Sequence, residues 1–550
     1  MILSKAPWWR GAVIYQIYPR SFLDTNGDGI GDLPGVIAGL DYIRDLGVDA
    51  VWLSPFFASP MRDYGYDVSD YRRVDPMFGA DADFDRLLAE AHRRGLKIII
   101  DMVLPHTSDQ HPWFIESRSS RGNPRADWYV WADPRPDGTP PNNWLSVFGG
   151  PSWQWEPRRR QYYLHHFLRS QPNLDWRNPA VVDAMTDNIR FWMDKGVDGL
   201  RLDAITTLIS DRDLRDNPAV PLADARFDLG GLASSPFVLQ DHVFDRDRPE
   251  ILDVFARLRV ELDRYPDRYM MAEVADVDAA IVGAKYTRGE TLLHSFYGFQ
   301  LTRQELSAEL LHRVVSHAEA HLADGWMTYT LGNHDTPRAV TRFGSLPHLS
   351  GDPDRLARLL MAFVLSLRGG ACIYQGDELG LPESELTIEQ LCDPWGIEFW
   401  PDFKGRDGCR TPIPWRAGAP HAGFTTGAPW LPVPGDHHRL AIDQQERDPG
   451  SLLHAYRRFL AFRRLHPALV TGKKELRRSE GPVFALERVD TPSRVLCVFN
   501  LSNRPEQLPL EPGWTPLEGH GFEAAFDGHT LALPPFGAFF AGRTAPAATR

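Results

Sequence analysis

The chain has 550 residues, 43% of them hydrophobic and 24% charged, with a formal net charge of −13. This length exceeds one ordinary core and points to about two to four domains, or to one large barrel with insertions. The acidic balance, with no basic run interleaved with aromatics, argues against a nucleic-acid partner. No stretch is apolar and long enough to span a membrane, and the amino-terminal segment lacks the pattern of a secretory leader. The four cysteines (Cys372, Cys392, Cys409, Cys497) have neither C-x-x-C nor His-rich spacing, so free thiols in a reducing cytoplasm are expected.

In chain order, "AVIYQIYP" (12–19) reads as a strand and "GVIAGLDYIRDLG" as a helix. "DAVWLSP" is the next strand, and "DADFDRLLAEAHRRG" is a helix opened by acids and closed by Arg and Gly. "LKIIIDMVLP" (96–105) is a third strand, and this β-α-β-α-β rhythm predicts a parallel sheet. Residues 106–172, rich in Trp, Pro, Arg and Asn, break the rhythm and read as an inserted, mostly irregular subdomain. The rhythm resumes with a helix near 179–196 and the strand "DGLRLDA" (198–204), then "RYMMAEV", "HSFYGF", "WMTYTLGNHD" and "GACIYQGDELG". Eight such strands close most simply into a (β/α)8 TIM barrel over 1–105 and 173–470. A polar excursion covers about 381–447. After the helix "SLLHAYRRFLAFRRLH", short alternating strands predict a C-terminal antiparallel β domain over 471–543, with a tail at 544–550.

The polar residues that interrupt the apolar strands sit at their C-terminal ends: Asp101 running to His106, Arg201 with Asp203, Glu273, and Asn333-His334-Asp335. In a barrel these ends converge on one face. Each alone suits a solvated loop edge or a structural ion pair; their coincidence points to a site. Arg201 and Asp203 are two apart on a strand and share a side. A guanidinium beside a carboxylate favours its ionised form, as a nucleophile needs. Glu273 follows the apolar "YMMA", where desolvation and nearby aspartates favour the protonated form of a general acid. Such a pair suits an oxocarbenium-like transition state. Seventeen tryptophans suit core packing or stacking under sugar rings equally.

"DTNGDGIGD" (24–32) places oxygen-bearing side chains at alternate positions and Gly29 sixth, like the start of an EF-hand loop. The twelfth position, which needs a bidentate Glu, is Gly35. That excludes a standard calcium-sensor loop and leaves a structural ion or an ion-free turn.

The motifs "DMVLPH", "QPNLDW", "GLRLDAI", "MAEV" and "LGNHD", in that order, resemble those of glycoside hydrolase family 13, in its α-glucosidase and oligo-1,6-glucosidase group. The resemblance runs from "WWRGAVIYQIYPRSF" to the terminal β domain. It implies that Asp203 is the nucleophile, Glu273 the acid/base and Asp335 a third carboxylate that holds sugar hydroxyls. It also implies that His106 and His334 bond the sugar, that Arg201 orients Asp203, and that Asp63 and Tyr66 of "DYGYD" close the pocket. Phe167 would line the same subsite. "GRDGCRTPIPW" would supply Arg410 to the pocket, with Arg406 the alternative. The loop at 24–32 would bind one Ca2+ or Mg2+ through Asp24, Asn26, Asp28, the Ile30 carbonyl and Asp32, with no organic cofactor. Pro105 stands where the family usually has Asn, which puts the local geometry in question. The implied enzyme is a retaining exo-acting α-glucosidase, cytoplasmic, monomeric or homodimeric, that acts on α-1,4-linked glucosides and transfers glucose to sugar or alcohol acceptors. The alternatives are an oligo-1,6-glucosidase, a sucrose or maltose isomerase, and an inactive sugar-binding or transporter-partner barrel. The retained acids and the lack of a spanning segment weigh against the last.

Overall fold

The computed structural model describes residues 6–224, 235–276, 278–303, 305–477 and 481–544. Eight parallel strands close into a barrel: β1 (Val13–Ile17), β2 (Ala50–Leu53), β3 (Lys97–Val103), β4 (Gly199–Asp203), β5 (Tyr269–Val274), β6 (Ser295–Gly298), β7 (Met327–Thr330) and β8 (Gly370–Tyr374). All eight lie within the segments read as strands. Each strand pairs with the next in chain order, and β8 returns to β1.

The near-continuous apolar character of these strands follows from burial on both faces. In β1, Val13, Tyr15 and Ile17 face the surrounding helices, whereas Ile14 joins Trp52, Ile99, Met271 and Tyr297 in a separate cluster. The first barrel helix, α1 (Leu33–Leu46), shows how local sequence fixes its ends. Asp32 accepts from Gly35 N at 2.7 Å as N-cap, Pro34 occupies the first turn, and Gly47 ends the helix at φ 96°.

The segment read as mostly irregular contains more order than the sequence signalled. It has a helical stretch at Pro112–Ser117 and a three-stranded antiparallel sheet of Trp131–Ala132, Gln161–Leu164 and Trp153–Glu156. Those strands are two to four residues long, too short to show a period of two. The polar excursion after β8 holds only short helical turns among the described residues.

Beyond residue 472 a five-stranded and a three-stranded antiparallel sheet face one another through Val483, Leu496, Val498, Trp514, Leu531 and Phe539. The other face of the larger sheet packs on the barrel helix α2 (Pro353–Ser366) through Phe363 against Phe484 and Phe499. Buried Arg488 fixes the junction by donating to the carbonyls of Ser366, Leu367, Leu469 and Gly472 at 2.7–2.9 Å. No helix among the described residues is long and apolar enough to cross a membrane.

Candidate active site

The barrel register assembles the first part of the site. Asp101 on β3 stands opposite Arg201 on β4, and Val103 opposite Asp203. On the other side β5 carries Glu273, two residues beyond Met271, the residue opposite Arg201. The guanidinium of Arg201 therefore meets three acids. Its Nη1 donates to Asp101 Oδ1 at 2.9 Å and to Asp203, and its Nη2 donates to Glu273. Asp101 also accepts from Trp52 Nε1 at 3.2 Å and from the Tyr66 hydroxyl at 3.1 Å.

A second charged group closes the far end. Arg406 Nη2 donates to Asp63 Oδ1 at 2.9 Å and to Asp393 Oδ1 at 2.7 Å, and its Nη1 donates to Asp335 Oδ1 at 3.3 Å. Arg410 donates to Asp335 Oδ1 at 2.8 Å and to the His334 carbonyl at 2.6 Å. The ring of His334 lies parallel to Tyr66, centroids 5.4 Å apart, and is bonded to the Tyr66 hydroxyl through Nε2 at 2.6 Å. His106 Nε2 donates to the Tyr66 carbonyl at 3.1 Å, which leaves its unpartnered Nδ1 as an acceptor.

These residues enclose a pocket lined by Asp63, Tyr66, His106, Phe167, Asp203, Glu273 and Asp335. Arg201 and His334 lie behind this wall. So does Arg410, the arginine favoured from the sequence; Arg406, the alternative, lines the pocket. The wall also contains Val147, Phe148, Thr206, Arg246, Phe299 and Trp395, none of which sequence reasoning singled out. Gln171, which donates to Asp63 Oδ2 at 2.9 Å, stood inside the quoted "QPNLDW". Asp393, the main anchor of Arg406, carried no signal in its polar stretch. Pro105 leaves His106 in the pocket wall, and its carbonyl accepts from Leu174 N at 2.9 Å.

The acids differ in protonation because their surroundings differ. Burial, resisted by Arg201 and reinforced by Asp203 and Asp335, raises Glu273 to about 8. Burial, resisted by Arg201 and reinforced by Asp101, raises Asp203 to about 7. Their mutual hydrogen bond raises Glu273 and lowers Asp203, so Glu273 is the favoured holder of a proton between them. Asp335 goes the other way: burial favours its neutral form, but the neighbouring His334, Arg406 and Arg410 hold it well below the usual carboxylate range. Burial lowers His334 itself to about 3, so with that ring neutral the two arginines carry the effect. His106 is lowered to about 3 by burial and is likewise a neutral hydrogen-bonding ring.

The loop at 24–32 lies apart from this pocket and is closed by its own hydrogen bonds. Asp24 accepts from the backbone of Asn26, Gly27 and Gly29 at 2.8–2.9 Å and from the Thr425 hydroxyl. Asn26 accepts from Asp28 N and Asp28 from Ile30 N, each at 2.8 Å. Gly29 takes φ +90°, and a Cβ there would meet the Ala428 carbonyl at 1.8 Å. Asp32 caps α1 and binds Thr25. All the donors are oxygens, which suits a hard cation. As placed, however, Asp24, Asp28 and Asp32 do not gather into a group able to hold a metal ion; none exists among the described residues. Two of these acids, Asp24 and Asp32, serve as turn and helix caps.

Residues 16–472 match the family model described as "Alpha amylase, catalytic domain". The chain is 51% identical over 538 residues, 97% of both chains, to the "Probable alpha-glucosidase" of Rhizobium meliloti (strain 1021). It is 36% identical over 529 residues, 90% of this chain and 92% of the relative, to the "Oligo-1,6-glucosidase" of Heyndrickxia coagulans. The solved "alpha-glucosyl transfer enzyme, XgtA" superposes with a TM-score of 0.95 at 52% identity, covering 98% of this chain and all of that one.

The raised acids carry a stability consequence. A carboxyl whose folded value exceeds its unfolded one binds more protons when folded, so its contribution falls as pH rises from about 4 towards the folded value. Glu273→Gln removes that penalty and keeps the shape. Its melting temperature should exceed that of the parent by about 1–3 °C at pH 9, with the gap closing towards pH 4. Scanning calorimetry across this range checks it; a lower melting temperature at pH 9 would show that the ionised acid is not disfavoured.

Proposed function

Since the chain belongs to glycoside hydrolase family 13, the α-amylase family, we propose that it is a retaining exo-acting α-glucosidase that also transfers glucose to alcohol acceptors. The observation that carries this reading is that one pocket is lined by the Asp203–Glu273 couple together with Asp63, Arg406 and Asp335. That combination supports recognition of one terminal sugar ring. Asp335 and Asp63 accept from sugar hydroxyls, His106 bonds the same ring, and the Tyr66 ring stacks on it.

Glu273 donates its proton to the glycosidic oxygen as the bond to the aglycone breaks. Ionised Asp203 attacks the anomeric carbon and forms a glucosyl ester. Glu273, now a carboxylate, takes a proton from water or an alcohol, whose oxygen displaces Asp203 on the same face. Contact of one guanidinium with both acids supports this close pairing over the wider gap, about 6.5–9.5 Å, of inverting enzymes. The transfer branch draws support from the likeness to XgtA, an alpha-glucosyl transfer enzyme. The free thiols support action in a reducing compartment.

The nucleophile is tested by rescue. Asp203→Ala should release no nitrophenol from nitrophenyl α-glucoside, and added azide should restore part of the rate by forming β-glucosyl azide. Turnover near the parent rate without azide would remove Asp203 from the role.

A structural cation at 24–32 stays in this reading on the strength of its oxygen donors and their alternate spacing. Millimolar Ca2+ or Mg2+ added to chelator-treated protein should raise the melting temperature by mass action and leave kcat unchanged. An unmoved melting curve would make the loop a hydrogen-bonded turn only.

Linkage is read from Ala204, which lines the pocket directly after Asp203 with φ 43°. A methyl side chain leaves room for the second ring of an α-1,4 disaccharide. A β-branch would crowd it and favour the more flexible 1,6 linkage. The expected kcat/KM is therefore higher for maltose than for isomaltose, and Ala204→Val should move the ratio towards isomaltose by about ten- to two-hundred-fold at most. Measuring both sugars on each protein cancels any loss of folded material from a branched residue at positive φ. A parent preference for isomaltose would place the linkage determinant elsewhere.

A further inference from the structure

Beside the catalytic pocket lies a second cavity of about 390 Å³. Arg246 lines both. From the loop after β4 it reaches the carbonyl of Ala275 at 2.6 Å and the hydroxyl of Thr206 at 3.4 Å, so it spans the segments that follow Asp203 and Glu273. A second link is apolar: Phe237 of the side cavity packs with Val147, Phe148 and Trp395 of the catalytic pocket. Its apolar lining is Val220, Phe237, Val238 and the exposed Val243, and it also carries Asp224 and Asp241. Both acids are exposed, and neither makes an ion pair among the described residues. Asp247, also on this wall, is already paired with Lys285 at 2.5 Å.

We propose that this cavity receives the far end of the aglycone or acceptor, with Arg246 as the partition between reacting hydroxyl and tail. The proposal rests on the α-glucosidase reading and extends it to an acceptor class: aryl or alkyl alcohols with an apolar body and a neutral or cationic end. A tail of this kind covers the valines and phenylalanine and brings its cation to Asp224 and Asp241. A carboxylate in the same place meets like charge. In the transfer step the acceptor oxygen bonds to the anomeric carbon, the ester bond to Asp203 breaks, and the hydroxyl proton passes to Glu273. No other reactant is needed.

The test uses nitrophenyl α-glucoside as donor and two matched phenols as acceptors, 4-(2-aminoethyl)phenol and 3-(4-hydroxyphenyl)propanoate. Products are quantified by chromatography and nitrophenol is followed by absorbance. Transfer to the amine should exceed transfer to the carboxylate by at least about fivefold at low salt, since one unit charge close to a surface carboxylate is worth about that factor and the two tails differ by two. The gap should shrink in 1 M salt. Asp241→Lys should invert or abolish the preference, and Asp241→Asn should reduce it. Val243→Trp, which adds bulk to the cavity lining, should lower transfer to both phenols relative to water. Nitrophenol released with equal transfer to the two acceptors, or a preference unmoved by Asp241→Lys, would overturn the acceptor cavity and leave the glucosidase reading intact. Absence of nitrophenol release from the parent protein would overturn that reading and the cavity with it.

Discussion

Three acids share one buried guanidinium, and the rest of the site depends on that arrangement. Arg201 sits inside the barrel, against Asp101, Asp203 and Glu273, where water cannot screen an excess of negative charge. One cation does not balance three carboxylates in such a place, so a proton stays with the group near neutrality. Asp101 is the acid best supplied with other donors, from Trp52 and Tyr66. Glu273 faces Asp203 and Asp335 as well and is raised to about 8. The proton held by this group is therefore a consequence of packing. The barrel register that sets Asp101 opposite Arg201 is what makes the packing possible.

The other end of the pocket solves the opposite problem. Asp335 stays ionised in a buried position, the state that the proposed binding of sugar hydroxyls needs. Arg406 and Arg410 achieve this by converging on the same oxygen, Oδ1. Arg406 is in turn anchored by Asp63 and Asp393. Acids of nearly the same intrinsic strength thus take different protonation states within one cavity, each set by the cations and acids around it.

The fold was legible wherever a strand was long enough to display a period or a helix long enough to display caps. It was hidden where strands shrank to two to four residues in the insert. The site was legible where side chains break apolar strands, because topology alone brings strand ends together: Asp203, Glu273 and Asp335 all come from such positions. Groups delivered by loops were harder to read. Arg406 and Arg410 lie four apart in one polar stretch, and which of them meets the pocket is decided by a turn at Asp407–Cys409 that composition does not specify. Asp393 and Arg246 come from long excursions with no periodic signal. At 24–32 the alternate spacing of oxygens suits a cation and hydrogen-bonded turns alike, and in the structure Asp24, Asn26, Asp28 and Asp32 accept from backbone N–H groups of the loop and of α1.

Ala204 ties the strained backbone to the chemistry. β4 ends at Asp203, and the next residue enters the left-handed region at φ 43°, ψ 35°, a conformation that non-glycine residues rarely adopt. The sharp turn directs the Ala204 N–H at Glu273 Oε2, 3.3 Å away, while the chain goes on into Ile205–Thr207. Thr206 then meets Arg246. One tight turn thus joins the strand carrying Asp203 to the acid beside it and to the partition of the second cavity. A larger side chain at 204 would enter the pocket and resist the backbone angle at once. Its methyl group therefore answers both to the pocket it lines and to the geometry of the turn.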